Sequence, residues 1–261
     1  MARRISRRSL YERLPKKIRQ AALINWKNRR GKKIPATTSG RPLTGLNTNP
    51  ATSNFNDVVA AVESGKATGI GLPFLNCDFC ALDLDDCVVD GELDPWALQL
   101  VMECDSYTEF SPSHTGVHIL MTGTPNCPNA RRLMCGNGHV DIFATNGYLT
   151  LTGKPVPGYE GKPLRPGTDV VQAIFDRIQP FSHAIRNILD HRIMRDLWAG
   201  KWQKHYGSQS EADLALLGFI ARYVDYEPKL IEKLFNQSGL CREKWRERED
   251  YRRRSIQKVL R

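Results

Sequence analysis

Cys80-Ala-Leu-Asp-Leu-Asp85 alternates at period two, which predicts a β-strand with Leu82 and Leu84 turned to a core and Asp83 and Asp85 together on the other face. Further strand patterns follow at residues 107–111, 117–121, 140–143 and 148–152. Asp94 before Pro95 reads as a helix start, with Asp as N-cap and Pro in the first turn, and predicts a helix to about Glu103. Upstream, residues 55–64 predict a short helix ended by Gly65, and residues 37–54, rich in Thr, Ser, Gly, Asn and Pro, predict a long loop. Leu14, Ile18, Ala21, Ala22 and Ile24 recur at near-helical spacing, so residues 11–26 are expected to be helical. Helices among several strands make this part an α/β or α+β domain.

The texture changes near Gly167. Beyond it only helical segments are expected, at residues 170–178, 183–198, 211–223, 229–236 and 251–260. Ser208 and Glu211 have the spacing of a capping box, and Gly239 is expected to close the helix that starts near Lys229. Pro157, Pro163, Pro166, Gly158, Gly161 and Gly167 mark the junction. Three regions result: a basic segment, 1–33, leading into the core; an α/β domain, 34–166; and a small all-α helical bundle, 167–261.

With 261 residues, 41% hydrophobic and 25% charged, the chain is neither a disulfide-stapled miniprotein nor wholly disordered. No apolar run nears the about 18 residues of a membrane span, and the basic N-terminus leads into no apolar signal region. No membrane partner is expected, and a cytoplasmic setting with mostly reduced cysteines is. The net charge of +10 is unevenly spread. Residues 1–33 hold 13 Lys and Arg against Glu12 alone, residues 34–185 hold 8 against 16 acids, and residues 186–261 hold 17 against 11. Basic flanks around an acidic centre point to polyanion contact outside and divalent cations inside.

Two carboxylates on one strand face can hold two hard cations, which clamp the attacking and leaving oxygens in phosphoryl transfer. Asp-x-Asp alone is unspecific, since chance supplies on the order of one in this length. Context comes from Ser111-Pro-Ser113-His-Thr-Gly116-Val-His118, whose hydroxyls, turn and histidine are the donors a triphosphate tail needs. It also comes from Asp141, a third acid on a strand. Cys77-x-x-Cys80 with Cys127, Cys135 and His139 has some character of a zinc site, but the spacing is irregular, and buried thiols are the preferred reading. Trp198, Trp202 and Trp245 stand among basic residues of the helical part. Bundle core is favoured for Trp198, with base stacking as the alternative for such residues.

The order Asp-x-Asp, Ser-x-Ser-x-x-Gly-x-His, hydrophobic-Asp and Tyr148-Leu-Thr-Leu-Thr152-Gly153 resembles the archaeo-eukaryotic primase superfamily, in its phage and plasmid primase-polymerase branch. The likeness extends upstream to Trp26 and Gly31-Lys-Lys-Ile-Pro35. Downstream it takes in Leu197-Trp-Ala-Gly-Lys-Trp202, Tyr206-Gly-Ser-Gln-Ser-Glu-Ala-Asp213 and Ser238-Gly-Leu-Cys-Arg-Glu-Lys-Trp245, which resemble the helical domain that follows the catalytic core in phage primases.

The resemblance implies a catalytic core with an RRM-like sheet, Mg2+ or Mn2+ held by Asp83, Asp85 and Asp141, and triphosphate bound by Ser111, Ser113 and His118. Lys33, Arg131 and Arg132 are the expected DNA contacts. The implied partners are single-stranded DNA template and nucleoside triphosphates. Two positions depart from the pattern: relatives often have Gly where His114 stands, and Arg where Gly147 stands. Arg131 and Arg132 are placed to compensate for the second. No Gly-x-x-x-x-Gly-Lys-Ser/Thr occurs, so either a separate helicase is expected to unwind the duplex or the chain is a fragment of a longer primase-helicase. The expected function is template-dependent DNA primase or polymerase action in replication of a phage, plasmid or other mobile element. The alternatives are a non-catalytic DNA-binding replication initiator and a metal-dependent nuclease, which the triphosphate motif disfavours.

Overall fold

In the computed structural model, which describes residues 6–135 and 138–260, Pro15 interrupts the helix expected over residues 11–26. Two short helices form instead, α1 (Arg7–Tyr11) and α2 (Lys16–Arg19), and Pro15 is the N-cap of the second. Leu14 and Ile18 are buried as the apolar spacing required, and so is Tyr11, whereas Ala22 of the same expected face is exposed. Ile24 then opens a strand, β1 (Ile24–Arg29), which turns through Arg30 and Gly31 into β2 (Lys32–Ala36). Both turn residues have positive φ, 52° and 80°, the conformation a two-residue hairpin turn demands. Over its described residues, 6–33, the basic segment thus runs into a sheet; its first five residues lie outside the described ones.

The loop before α3 (Phe55–Glu63) is long, as expected, and Asn54 caps the helix by accepting from Asp57 N. Gly65, at φ +73°, lies just past the helix end. β3 (Gly69–Pro73) was not expected, because two glycines and a proline argue against a strand. Its glycines are required by close approach. A Cβ on Gly69 would meet the Trp26 indole at 2.6 Å, and one on Gly71 would meet the Tyr148 ring at 2.8 Å.

There follow β4 (Phe79–Asp85), the small hairpin β5 (Val88–Val89) and β6 (Glu92–Leu93), and α4 (Pro95–Cys104). Asp94 is the N-cap residue of α4 by position, yet its side chain makes no capping bond. The remaining strands are β7 (Thr108–Phe110), β8 (Val117–Thr122), β9 (Ala130–Cys135), β10 (Gly138–Phe143) and β11 (Tyr148–Leu151). One sheet is ordered β11-β3-β1-β2 and the other β7-β8-β4-β10-β9, and every pairing is antiparallel. The mixed α/β fold class is as expected. Leu14, Val58, Ile70, Leu72, Phe74, Ala81, Leu120, Phe143 and Leu149 share one apolar core drawn from both sheets.

The chain forms two compact units, residues 1–175 and 176–261, and the division falls within α5 (Thr168–Asp190). This helix runs through Pro180, where a break was expected. The buried stripe Ile174, Ile178, Phe181, Ile185 and Ile188 continues on both sides of the proline, so tertiary burial outweighs the lost backbone bond.

The second unit continues with α6 (Arg192–Trp198), α7 (Gln209–Ala221), α8 (Pro228–Phe235), α9 (Glu243–Glu247) and α10 (Glu249–Val259). Ser208 caps α7 through Glu211 N as the box predicted. Gly239 does not cap α8, whose C-cap is Asn236. It is glycine because a Cβ there would lie 2.7 Å from Gly200 N.

Asp213, fully buried, accepts from Tyr251 Oη at 2.8 Å and pairs with Arg242 at 3.2 Å, and burial pushes its carboxyl up despite both partners. Trp198 and Trp202 are half-buried, whereas Trp245 is fully buried, stacked 4.2 Å from Phe235 and donating to Asn236 Oδ1 at 2.7 Å. Trp245→Ala is expected to cost about 3 to 5 kcal/mol, from a cavity and an orphaned amide oxygen. Urea unfolding of the full chain monitored in this unit checks it; a loss below about 1 kcal/mol contradicts the packing role.

Candidate active site

The site is a consequence of register. β4 lies between β8 and β10, with Asp83 opposite His118 on one side and Asp141 on the other, and Asp85 opposite His139. On β7, Glu109 is opposite His118. Residues directly opposite one another share a sheet face. Asp83, Asp85, Asp141, His118, His139 and Glu109 therefore share one face, while Leu82 and Leu84 are buried on the other, as the alternation requires. Along β4 the acid face emerges from cover: Ala81 is fully buried in the main core, the Asp83 side chain is 18% exposed and that of Asp85 is 40%. The acids thus stand where the face opens to solvent.

His118 is buried between two carboxylates, its Nε2 3.5 Å from Asp83 Oδ1 and its Nδ1 3.4 Å from Glu109 Oε1. Burial alone would lower the imidazole pKa; Asp83 and Glu109 together outweigh it and raise it. Burial pushes the Asp83 carboxyl up, His118 opposes, Asp85 and Asp141 add to the rise, and Lys33 lowers it. Lys33 thus acts on the site from β2 in the other sheet, where its carbonyl accepts from Tyr148 Oη at 2.8 Å.

Asp141 is engaged on both oxygens. Arg131 Nη1 donates at 2.8 Å and the Arg132 backbone N–H at 2.6 Å, across a bulge where Arg132 has φ +52°. The Arg131 guanidinium stacks 4.0 Å over Phe143 and lies 3.2 Å from where a Cβ on Gly147 would sit. Arg131 thereby occupies the space beside Gly147.

The serine motif forms a turn at the end of β7. Ser111 Oγ, Ser113 Oγ and Thr115 Oγ1 follow one another at 3.0 and 2.9 Å, and Ser111 N donates to Gly116 O at 2.9 Å. Gly116 is needed here, since a Cβ would lie 2.3 Å from Leu84 O. His114 has φ +63°, the left-handed region that favours glycine, and its Nε2 is 2.8 Å from Lys154 Nζ. Burial and the Lys154 charge lower its pKa, in keeping with a neutral ring accepting from the lysine. Lys154, Thr115, Glu109 and His139 were not singled out as part of the acid and triphosphate site by sequence. Lys154 does follow the Thr152-Gly153 motif directly, and Glu109 is two residues before Ser111, on the strand that leads into the serine turn.

Among the described residues, no three His, Cys, Asp or Glu side chains stand close enough as placed to hold a metal ion. The donor set nevertheless suits a hard divalent cation: three carboxylates share a face, and Asp83 Oδ1 is buried without a hydrogen bond. Asp141 is paired with Arg131, and Asp85 lies 3.2 Å from His139 Nε2. Of the residues weighed for zinc, Cys77 and Cys80 lie near the carbonyls of Phe79 and Thr122, and burial pushes the Cys80 thiol up to about 12.

Residues 209–261, α7 to α10, match the family described as the NrS-1 polymerase HBD domain. The chain is 25% identical over 240 residues, 87% of its length, to a protein named DNA Primase-polymerase from Nitratiruptor phage NrS-1, and spans about a third of that protein (33%). The resemblance to the phage branch of the primase-polymerases is borne out by both findings. Among the described residues no helix is long and apolar enough to cross a membrane.

Proposed function

We propose that this chain is the primase-polymerase part of a phage-type replication protein, joining nucleotides on a single-stranded DNA template by two-metal phosphoryl transfer. One observation supports the reading: Asp83, Asp85 and Asp141 share one face with His118, and β7, which pairs with the His118 strand, runs directly into the Ser111-Ser113-Thr115 hydroxyl row. Asp83 and Asp85 would hold both cations, and Asp141 would complete the site beside the attacking 3′-hydroxyl. Mg2+ or Mn2+, when bound there, supplies Lewis-acid neutralisation of the charge that develops on the transferred phosphoryl group.

His118 and the three hydroxyls donate to the triphosphate, and Lys154, at the mouth of the serine turn, adds a cation. Release of Arg131 from Asp141 would leave its guanidinium beside Gly147, free to meet a phosphate. Lys33 and Arg132 are assigned to template phosphates. Incubation with single-stranded template, labelled nucleotides and Mg2+ or Mn2+ tests the reading. Extended products support it, retention of DNA without synthesis favours the initiator, and shortened DNA favours the nuclease.

His118→Ala is expected to weaken nucleotide binding about ten- to a hundredfold while leaving DNA affinity unchanged, since a charge-assisted hydrogen bond is worth about 1.5 to 3 kcal/mol. Titration of the DNA-free variant with dATP in Mg2+ checks it. Unchanged affinity makes His118 a strand histidine and nothing more.

A further inference from the structure

Glu109 is fully buried on the face that carries the acids, and no step above uses it. A buried carboxylate is retained only where donors satisfy it. Four groups do so: Thr152 N donates to Oε1 at 2.9 Å, Gly153 N to Oε2 at 2.9 Å and Tyr107 Oη to Oε2 at 3.0 Å, while His118 Nδ1 faces Oε1 at 3.4 Å. Two of the donors are backbone amides just past β11, so the carboxylate ties that chain end to β7 and, through the imidazole, to β8. His118 is only 1% exposed, and its Nε2 makes no hydrogen bond although it faces Asp83. An imidazole can present a chosen nitrogen only if its other nitrogen is fixed. A carboxylate suits this place. An amide would turn an N–H against Thr152 N, Gly153 N or His118.

We propose that Glu109 is a positioning residue for nucleotide binding: anchored by the amides of Thr152 and Gly153, it accepts from His118 Nδ1–H and holds the ring with Nε2 presented on the acid face to a triphosphate oxygen. This rests on the reading of His118 as a triphosphate ligand.

The test is a double-mutant cycle on the full chain, with dATP and Mg2+ and no DNA as the probe. E109Q weakens dATP binding about tenfold in the parent and no further in the H118A background. Equal weakening in both backgrounds means Glu109 acts through the fold and overturns the proposal. Should E109Q not melt cooperatively, E109D takes its place, with its charge kept but withdrawn from the ring, and the same pattern is expected. A separate arm uses the unmodified protein, where nitrogen-resolved NMR is expected to show a slowly exchanging His118 Nδ1 proton. Its absence overturns the proposal. Binding of dATP to H118A at parental affinity instead refutes the ligand role of His118, and a protected Nδ1 proton then still supports the anchoring by Glu109.

Discussion

Asp83→Asn with Asp85→Asn gives a protein that melts at least as high as the parent and incorporates nucleotides about a thousandfold more slowly or worse. The rate follows from charge. Two cations that neutralise the transferring phosphoryl group contribute several kcal/mol, and about 1.4 kcal/mol is tenfold in rate. The retained stability follows from burial. The Asp83 carboxyl is pushed up by desolvation and by Asp85 and Asp141, so its ionised form costs the folded state. A group raised in this way contributes stability below its unfolded value that is lost as pH rises through its folded one, so at neutral pH the neutral amide relieves a cost. The partner left behind is His118, which keeps Glu109 on its other nitrogen. Steady-state incorporation and thermal melting of the same preparation check both halves. Synthesis within tenfold of the parent refutes the metal assignment, and a lowered midpoint refutes the account of burial.

The acid face was legible because its information is local. Period-two alternation at residues 80–85 fixes which face the aspartates take, and strands at 117–121 and 140–143 supply the neighbours. Glu109 was not, because an isolated acid on a strand reads as solvent-facing. What buries it are the amides of Thr152 and Gly153, whose proximity depends on where β11 ends. Residues 11–26 misled for a related reason: the spacing of Leu14 and Ile18 imitates a helix, but Leu14 lies in the turn between α1 and α2, Pro15 keeps each helix to about a turn, and β1 follows. β1 itself is fixed by a distant contact, since the buried Asn25 amide donates to Val58 O at 2.9 Å and to Gly69 O at 3.2 Å. His114 shows the converse, a departure from the related pattern that the fold absorbs. The turn keeps the backbone a glycine would take, and the ring reaches Lys154.

Shortening the chain to residues 1–175 is expected to abolish unprimed initiation, by about a hundredfold or more, while extension of a supplied primer persists. The cut is placed by packing. Val171 and Ile174 of α5 are fully buried, so ending before them would strip cover from the first unit, whereas ending after Phe175 keeps the whole of that unit with the acid face, the serine turn and Lys33. What is removed carries the match to the NrS-1 polymerase HBD domain and, over residues 176–261, 18 Lys and Arg against 12 acids. Joining the first two nucleotides has no primer duplex to hold the reactants. The cost of misplacing them therefore falls on protein contacts, and loss of positioning costs about a hundredfold. Extension is spared because the primer terminus is held by base pairing. With fewer phosphates neutralised, DNA affinity should also fall less steeply with salt. Initiation and extension are measured on one template at one ionic strength, with cooperative melting of the shortened form as the control for folding. Equal initiation by the two forms would leave the helical unit without a part in the first bond, and loss of primed extension by a folded truncation would place part of the active site beyond Phe175.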